Sequence, residues 1–202
     1  MCLNFSERDM KQTPLGSAIL RLFGDLGERL SERYVPADAV RAYLFGGCAV
    51  HQYASARVTS DVDVEFDYQL LHRGDLDLAL RELPFLEYDD PEHGSSQLVY
   101  DRRFNTTLCP LHEDYRERAR RLDDGFALDS PLSVWIPCPE DLAITKLGRL
   151  APLDIDDILL LLEQPGASVE RFEQLAREAI RYYVGPDLSS HIDYIKKKWS
   201  AR

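Results

Sequence analysis

Asp61 and Asp63 alternate with valines along Asp61-Val-Asp-Val-Glu-Phe66, and upstream the apolar run from Val40 to Phe45 ends in Gly46 and Gly47. Two carboxylates at i and i+2 of a strand lie about 6 to 7 Å apart at Cα and face the same way, so their oxygens can converge on one hard cation. Mg²⁺ suits such a pair, because it takes oxygen ligands and keeps positions for substrate phosphates. The glycines allow a tight turn and close approach of backbone to a ligand. The residues after them, with Ala49, Val50, Tyr53 and Ala54, fit a short helix whose first N–H groups and dipole would favour a phosphate. Turn, helix and acidic strand in this order make a site for metal-bound nucleotide. The bland alternative is a solvent-facing acidic strand, common in a chain of formal net charge -11.

The elements that must position these residues follow from periodicity. Leu20, Phe23, Leu26, Leu30 and Tyr34 predict a helix over 17–34. An alternating strand over 61–66 puts Val62, Val64 and Phe66 toward the core, with Asp61, Asp63 and Glu65 on the other face. A helix over 75–83 has Asp75 as its cap, and 89–96, rich in Pro, Gly, Ser and acids, reads as a loop. Strands are expected over 96–100 and 104–108, with a short one over 133–136. From Pro139 the chain reads as helices over 139–150, 153–163, 168–183 and 187–199, broken by Pro165-Gly166 and Gly185-Pro186. Pro139 opens the first of them, and Leu142, Lys146 and Arg149 fall on one helical face. Asp154 and Asp157 sit one turn apart ahead of Ile158-Leu-Leu-Leu-Leu162 and suit either support of a nearby cation or helix capping, while Asp156 points to solvent.

The glycine pair followed by the Asp-x-Asp strand resembles the DNA polymerase β-like nucleotidyltransferase superfamily, on Gly46, Gly47, Asp61 and Asp63. Pro139-Glu-Asp-Leu-Ala-Ile-Thr-Lys-Leu-Gly-Arg149 followed by Leu153-Asp-Ile-Asp-Asp-Ile158 resembles the later segment of AbiEii-like toxin nucleotidyltransferases and of DUF6036-type bacterial proteins. Asp114-Tyr-Arg-Glu-Arg-Ala119 is similar to the DUF6036 layout. The resemblance implies an α+β fold, with a small mixed β-sheet nucleotidyltransferase core and amino-terminal helix over 1–138 and a helical carboxyl-terminal region over 139–202. It implies Mg²⁺ on Asp61 and Asp63, an NTP held by Gly46, Gly47, Ser60 and Arg149, and Lys146 with Asp154 and Asp157 as the catalytic set. The acceptor it implies is a tRNA or protein hydroxyl, and the setting a toxin–antitoxin or phage-defence system with an antitoxin partner. Two departures stand against it. Leu153 replaces the cation usual before the first Asp of the later motif. A third metal carboxylate is not evident either: Asp101 lies at an expected turn, Asn105, Thr106 and Thr107 occupy the other position, and Glu65 is about 13 Å from Asp61 along a strand. A catalytically degenerate fold that binds a nucleotide or a partner is therefore the alternative.

With 202 residues and 45% apolar content the chain can bury a core of its own. No apolar run approaches the ~20 residues needed to span a bilayer, and the amino terminus, with Asn4, Ser6, Glu7, Arg8 and Asp9, lacks a secretory pattern. Cys2, Cys48, Cys109 and Cys138 are scattered, which implies reduced thiols in the cytoplasm and no structural zinc. Cys48 reads either as a small residue in a tight turn or as a reactive thiol at a helix start. The acidic balance excludes broad, sequence-independent nucleic-acid binding. Local cation clusters remain at Arg102, Arg103, Arg116, Arg118, Arg120 and Arg121, and at Lys196, Lys197, Lys198 and Arg202.

Overall fold

A glycine turn and an acidic strand hold their positions only if buried apolar strands anchor both ends. In the computed structural model, which describes residues 13–55, 58–122, 127 and 129–202, the chain divides into two units. Among the described residues, a mixed unit is drawn from residues 13–104 and 120–136, and a helical unit from residues 105–119 and 137–202. Cys2 and the amino-terminal stretch 4–9 lie outside the described residues.

The mixed unit begins with α1, Pro14–Ser31. It starts three residues earlier than the apolar spacing suggests, because Thr13 Oγ1 accepts the Gly16 N–H at 3.0 Å and Pro14 occupies the first turn. Its stripe of Leu15, Ile19, Leu22, Phe23, Leu26 and Leu30 is buried. Strand β1, Val40–Leu44, leads into α2, Gly46–Ala54, and then come β2, Asp61–Val62, and β3, Val64–Tyr68. Helix α3, Arg73–Glu82, precedes a hairpin of β4, Leu86–Asp90, and β5, Gly94–Tyr100. The expected loop there shrinks to a turn in which Asp90 Oδ1 accepts the N–H groups of Glu92 and His93. Strands β6, Arg120–Arg121, and β7, Leu132–Ile136, complete the unit. One sheet has the order β3-β1-β7-β6, with β1 antiparallel to β3 and parallel to β7. The other has the order β2-β5-β4.

The expected continuous strand over 61–66 is two strands in two sheets. Asp61 and Val62 pair with Val99 and Tyr100 of β5, whereas Val64 opens the ladder against Leu44 of β1. Asp63 is the corner between them, since one twisted strand cannot stay in register with partners of both sheets. The alternation survives the corner: Val62 and Val64 are buried, Asp63 is half-buried and Asp61 is exposed. Helix α3 begins two residues before Asp75, which instead sits in its first turn, where a negative charge suits the dipole.

The helical unit contains α4, Tyr115–Arg118; α5, Pro139–Thr145; α6, Pro152–Leu162; α7, Val169–Ala179; and α8, Ser189–Ser200. Leu142, Ile144, Leu147, Ile158, Leu161, Phe172, Ile192 and Ile195 are buried and form its apolar centre. The strand expected over 104–108 is a single 3-10 turn at Thr106–Leu108, because Asn105 Oδ1 takes the Thr107 N–H at 2.9 Å and offers the backbone a local alternative to a ladder. Helix α5 stops at Thr145 rather than at residue 150, and Leu150 takes φ 47° where the chain turns into Pro152. The fold is thus α+β, small mixed sheets with flanking helices and a helical carboxyl-terminal part. Among the described residues no helix is long and apolar enough to cross a membrane.

Candidate functional site

Gly46 is glycine for two reasons that act together. Its φ of +61° lies in the left-handed region, and a Cβ placed on it would stand 1.8 Å from Asp63 Oδ2 and 2.8 Å from Asp63 Cγ. The Asp63 carboxylate therefore lies directly over the first residue of α2. Its backbone is fixed there as well, since the Phe45 N–H donates to the Asp63 carbonyl at 2.8 Å. Phe45, the residue before the helix, makes no side-chain cap. Gly47 is small for a second neighbour: a Cβ there would meet the Thr59 side chain at 3.0 to 3.2 Å. Thr59 also takes the Asp61 N–H on Oγ1 at 3.3 Å, holding the approach to Asp61. This role of Thr59 is not singled out by the sequence, where a hydroxyl two residues before Asp61 is the only sign.

Asp61 converges on the same turn. The Cys48 thiol is fully buried and donates to the Asp61 carbonyl at 3.4 Å. Its pKa is pushed far up, first by burial and then by the negative charges of Asp63 and Asp61. Both carboxylates thus act on one sulfur beneath the glycines, and Cys48 is a packing residue rather than a reactive thiol. Ser60 is exposed, and its Oγ stands 3.4 Å from Asp61 Oδ1. The structure therefore brings Gly46, Gly47, Ser60, Asp61 and Asp63 together. A carboxylate over a helix start, with a second acid two residues before it, fits a divalent cation carrying a phosphate.

Asp101 stands next to this pair in register. Its N–H donates to the Val62 carbonyl at 3.1 Å, one step beyond the β2–β5 ladder. Its carboxylate turns back, accepting the Arg103 N–H at 2.8 Å. Among the described residues no group of three or more His, Cys, Asp or Glu side chains is gathered as a metal would need.

The later motif builds a different kind of charge cluster, inside the helical unit. Lys146 follows the end of α5, so helical stagger does not align it with Arg149; ion pairs do. Lys146 Nζ lies 2.8 Å from Asp157 Oδ2 and 4.0 Å from Asp154 Oδ1. Arg149 grips both oxygens of Asp154 at 2.7 Å, and the Ala151 N–H donates to Asp154 Oδ2 at 3.0 Å. Asp154 therefore caps α6 and supports the cations at once, which are the two uses the sequence left open. Burial by itself would raise the Asp154 pKa, but Arg149, the Ala151 N–H and the Lys146 charge outweigh it and hold the carboxyl below its usual value. Asp156 is exposed, as its position implied.

The neighbouring motif acids are structural in the same sense. Asp141 is fully buried and takes a fork of two bonds from Arg118 at 2.9 and 2.8 Å, plus the Cys138 thiol at 3.0 Å. Burial first, and then Asp141, push the Cys138 thiol up to about 12. Glu140 is buried too and accepts the Ser168 N–H at the start of α7 at 3.2 Å. Four of the cations that the sequence offered for nucleic acid have internal neighbours: Arg120 lies over the Tyr53 ring, Arg116 bonds Tyr115, Lys196 pairs with Glu173 and Arg202 with Glu163.

The chain matches, over residues 21–201, the family described as "Nucleotidyltransferase of unknown function (DUF6036)". Among solved structures it is similar to an antigenic nucleotidyltransferase-like protein from Paracoccidioides brasiliensis, at 19% identity over 88% of this chain and 93% of that one, with a TM-score of 0.47. It is also similar to the antibiotic-resistance factor ANT(2'')-Ia in its solution structure, at 14% identity over 92% of this chain and 99% of that one, with a TM-score of 0.44. Neither likeness bears on the site. No curated protein matches the chain.

Proposed function

We propose, because this chain belongs to the DUF6036 family of nucleotidyltransferases, that it transfers a nucleotidyl group from an NTP to an RNA or protein hydroxyl with Mg²⁺. The observation that carries the reading is the Asp63 carboxylate lying over Gly46 at the start of α2, with Asp61 acting on the same buried thiol. Asp61 and Asp63 would hold the metal, which when bound supplies charge to neutralise the phosphates. Gly46, Gly47 and Ser60 would hold phosphate oxygens through N–H and hydroxyl donors. The position of the Asp63 carboxylate matters here. An anion already occupies the electropositive helix start, so a free phosphate is repelled, while a metal-bound one is not.

The same proposal keeps Lys146, Asp154 and Asp157 as the catalytic set and Arg149 as a nucleotide contact. What supports it is that the four are gathered in one cluster of two cations and two carboxylates. Lys146 would stabilise phosphate charge by exchanging an Asp157 oxygen for a phosphate oxygen, and Asp154 would hold the ammonium in place meanwhile. A tRNA or protein acceptor, an antitoxin partner, a role in a toxin–antitoxin or phage-defence system and a cytoplasmic location belong to this reading through the resemblance.

A second reading is favoured by one observation, the Asp101 carboxylate turned back on its own loop. It makes the protein a degenerate member that binds a nucleotide without transferring it. Incubation with each α-labelled NTP, Mg²⁺, total RNA and total protein separates the two. Transfer of label that is lost in Asp63→Ala is the expected result; transfer that survives the substitution sinks the metal assignment. Binding of nucleotide with no transfer to either acceptor selects the degenerate reading.

A further inference from the structure

The strand corner that points Asp61 and Asp63 one way points Val62, Val64 and Phe66 the other, and on that reverse side lies a cavity of about 320 Å³. Its volume falls at the lower end of the ~300 to 1,000 Å³ of small-molecule sites. The rings of Phe66, Tyr100 and Phe104 contribute to its walls. Its rim is charged in a balanced way: Asp77 and Arg81 come from α3, and Asp101 and Arg102 from the turn after β5. These four are exposed. Here aromatic rings lie among the walls, and the rim carries two carboxylates and two guanidiniums, of which Asp101 also accepts the Arg103 N–H at 2.8 Å and Arg102 also donates to the Leu80 carbonyl at 3.3 Å; the rim has no net charge to attract an ion.

We propose that this cavity binds the base of a free purine nucleoside. A purine has a π-face for the rings and an edge that carries both donors and acceptors, which matches Asp and Arg groups on one rim. It is also uncharged, as the balanced rim requires. The occupant would touch the nucleotide-site turn through one contact: the Phe104 ring lies 5.3 Å from that of Phe45, whose N–H holds the Asp63 carbonyl. The cavity is therefore a second nucleoside site behind the carboxylate strand, independent of Mg²⁺.

Titrating adenosine and guanosine into the ¹⁵N-labelled full chain without Mg²⁺ tests this, because nucleosides carry no phosphate for the glycine turn. Amide shifts are expected at Leu80, Arg81 and Asp101–Phe104, retained in Asp63→Ala, abolished in Leu80→Trp, which fills the cavity, and weakened about tenfold in the exposed-site variant Arg81→Ala, the scale of one charge-assisted hydrogen bond. Retention in Asp63→Ala separates this site from the proposed nucleotide site, so either can fail alone. The proposal is overturned if millimolar nucleoside shifts none of these amides, if the shifts centre on Gly46–Cys48, or if phenylalanine produces the same shifts at the same concentration.

Discussion

The two motifs hold their carboxylates in opposite ways. At the glycine turn, Asp61 is exposed and Asp63 half-buried, two like charges brought near one helix start. In the helical unit, Asp141, Asp154 and Asp157 are almost wholly buried, each against Arg or Lys. The first arrangement sets two acidic groups of one short segment close to the solvent-facing side of the turn. The second sets each carboxylate against a cation of its own unit, between α4 and α5 for Asp141 and between α6 and the turn after α5 for Asp154 and Asp157. Acidic residues in one family's motifs thus stand in two environments, a difference that residue type alone does not report.

The comparison predicts that removing a carboxylate destabilises the helical unit and spares the glycine turn. The largest effect is expected for Asp141→Ala, which leaves the half-buried Arg118 guanidinium and the Cys138 thiol without the buried carboxylate that both bond. Breaking a buried pair costs about 3 to 5 kcal/mol, and because Arg118 keeps some access to water the loss should lie at or below the lower end of that range, read as a lowered urea midpoint. A double variant Arg118→Met, Asp141→Leu should recover most of the loss, because apolar replacement of both partners removes the orphaned charge. An unchanged midpoint in Asp141→Ala would break the contrast at its strongest point.

Next in size is Gly46→Ala. A left-handed φ costs an alanine roughly 1 to 2 kcal/mol, and the added methyl cannot coexist with Asp63 Oδ2 where it now lies. Stability should fall by about that much, and binding of Mg²⁺-nucleotide should fall with it. Gly47→Ala meets only the Thr59 side chain, which can give by a few tenths of an ångström, so a smaller loss on both measures is expected.

A smaller effect should appear as a pH dependence. The Asp154 carboxyl is held below its usual value, so the folded state binds its proton less readily than the unfolded chain. Its stabilisation is then fully present above the unfolded value of about 3.9 and is lost as pH falls below that through the folded value. Urea midpoints at pH 7, 5 and 3 should drop chiefly between the last two. Arg149→Gln, which removes the principal favourable partner, should flatten that acid step while leaving the pH 7 fold intact. A step of unchanged size would assign the acid sensitivity to other carboxylates.

How much of this was legible in the sequence depended on range. Alternation along 61–66 correctly gave the faces of Asp61, Asp63, Val62 and Val64, because side-chain direction is a local property of extended chain. It could not give the corner at Asp63, which arises from partners in β1 and β5 far away in sequence. Helical periodicity puts Lys146 and Arg149 on one face; they meet Asp154 and Asp157 instead through a turn after α5, set by a backbone conformation at Leu150 that periodicity does not report. The burial of Glu140 and Asp141 was hidden too, since two acids in a first helical turn look like ordinary dipole complements until Arg118 and the Ser168 N–H are seen against them.

The smallest expected change in stability is the one that sharpens the contrast most. Asp63→Asn keeps the shape of the side chain and its ability to accept hydrogen bonds, and it relieves repulsion from Asp61. Its stability should therefore stay within about 0.5 kcal/mol of the parent, the range of substitutions away from buried networks. Binding of Mg²⁺-nucleotide should nonetheless fall by about a hundredfold or more, the scale on which loss of one preorganised electrostatic group is felt. Calorimetric titration of Mg²⁺-nucleotide beside a urea melt reads both quantities on one preparation. If Asp63→Asn destabilised the protein as strongly as Asp141→Ala does, the carboxylate over Gly46 would be a structural group like Asp141, and the metal assignment would fall.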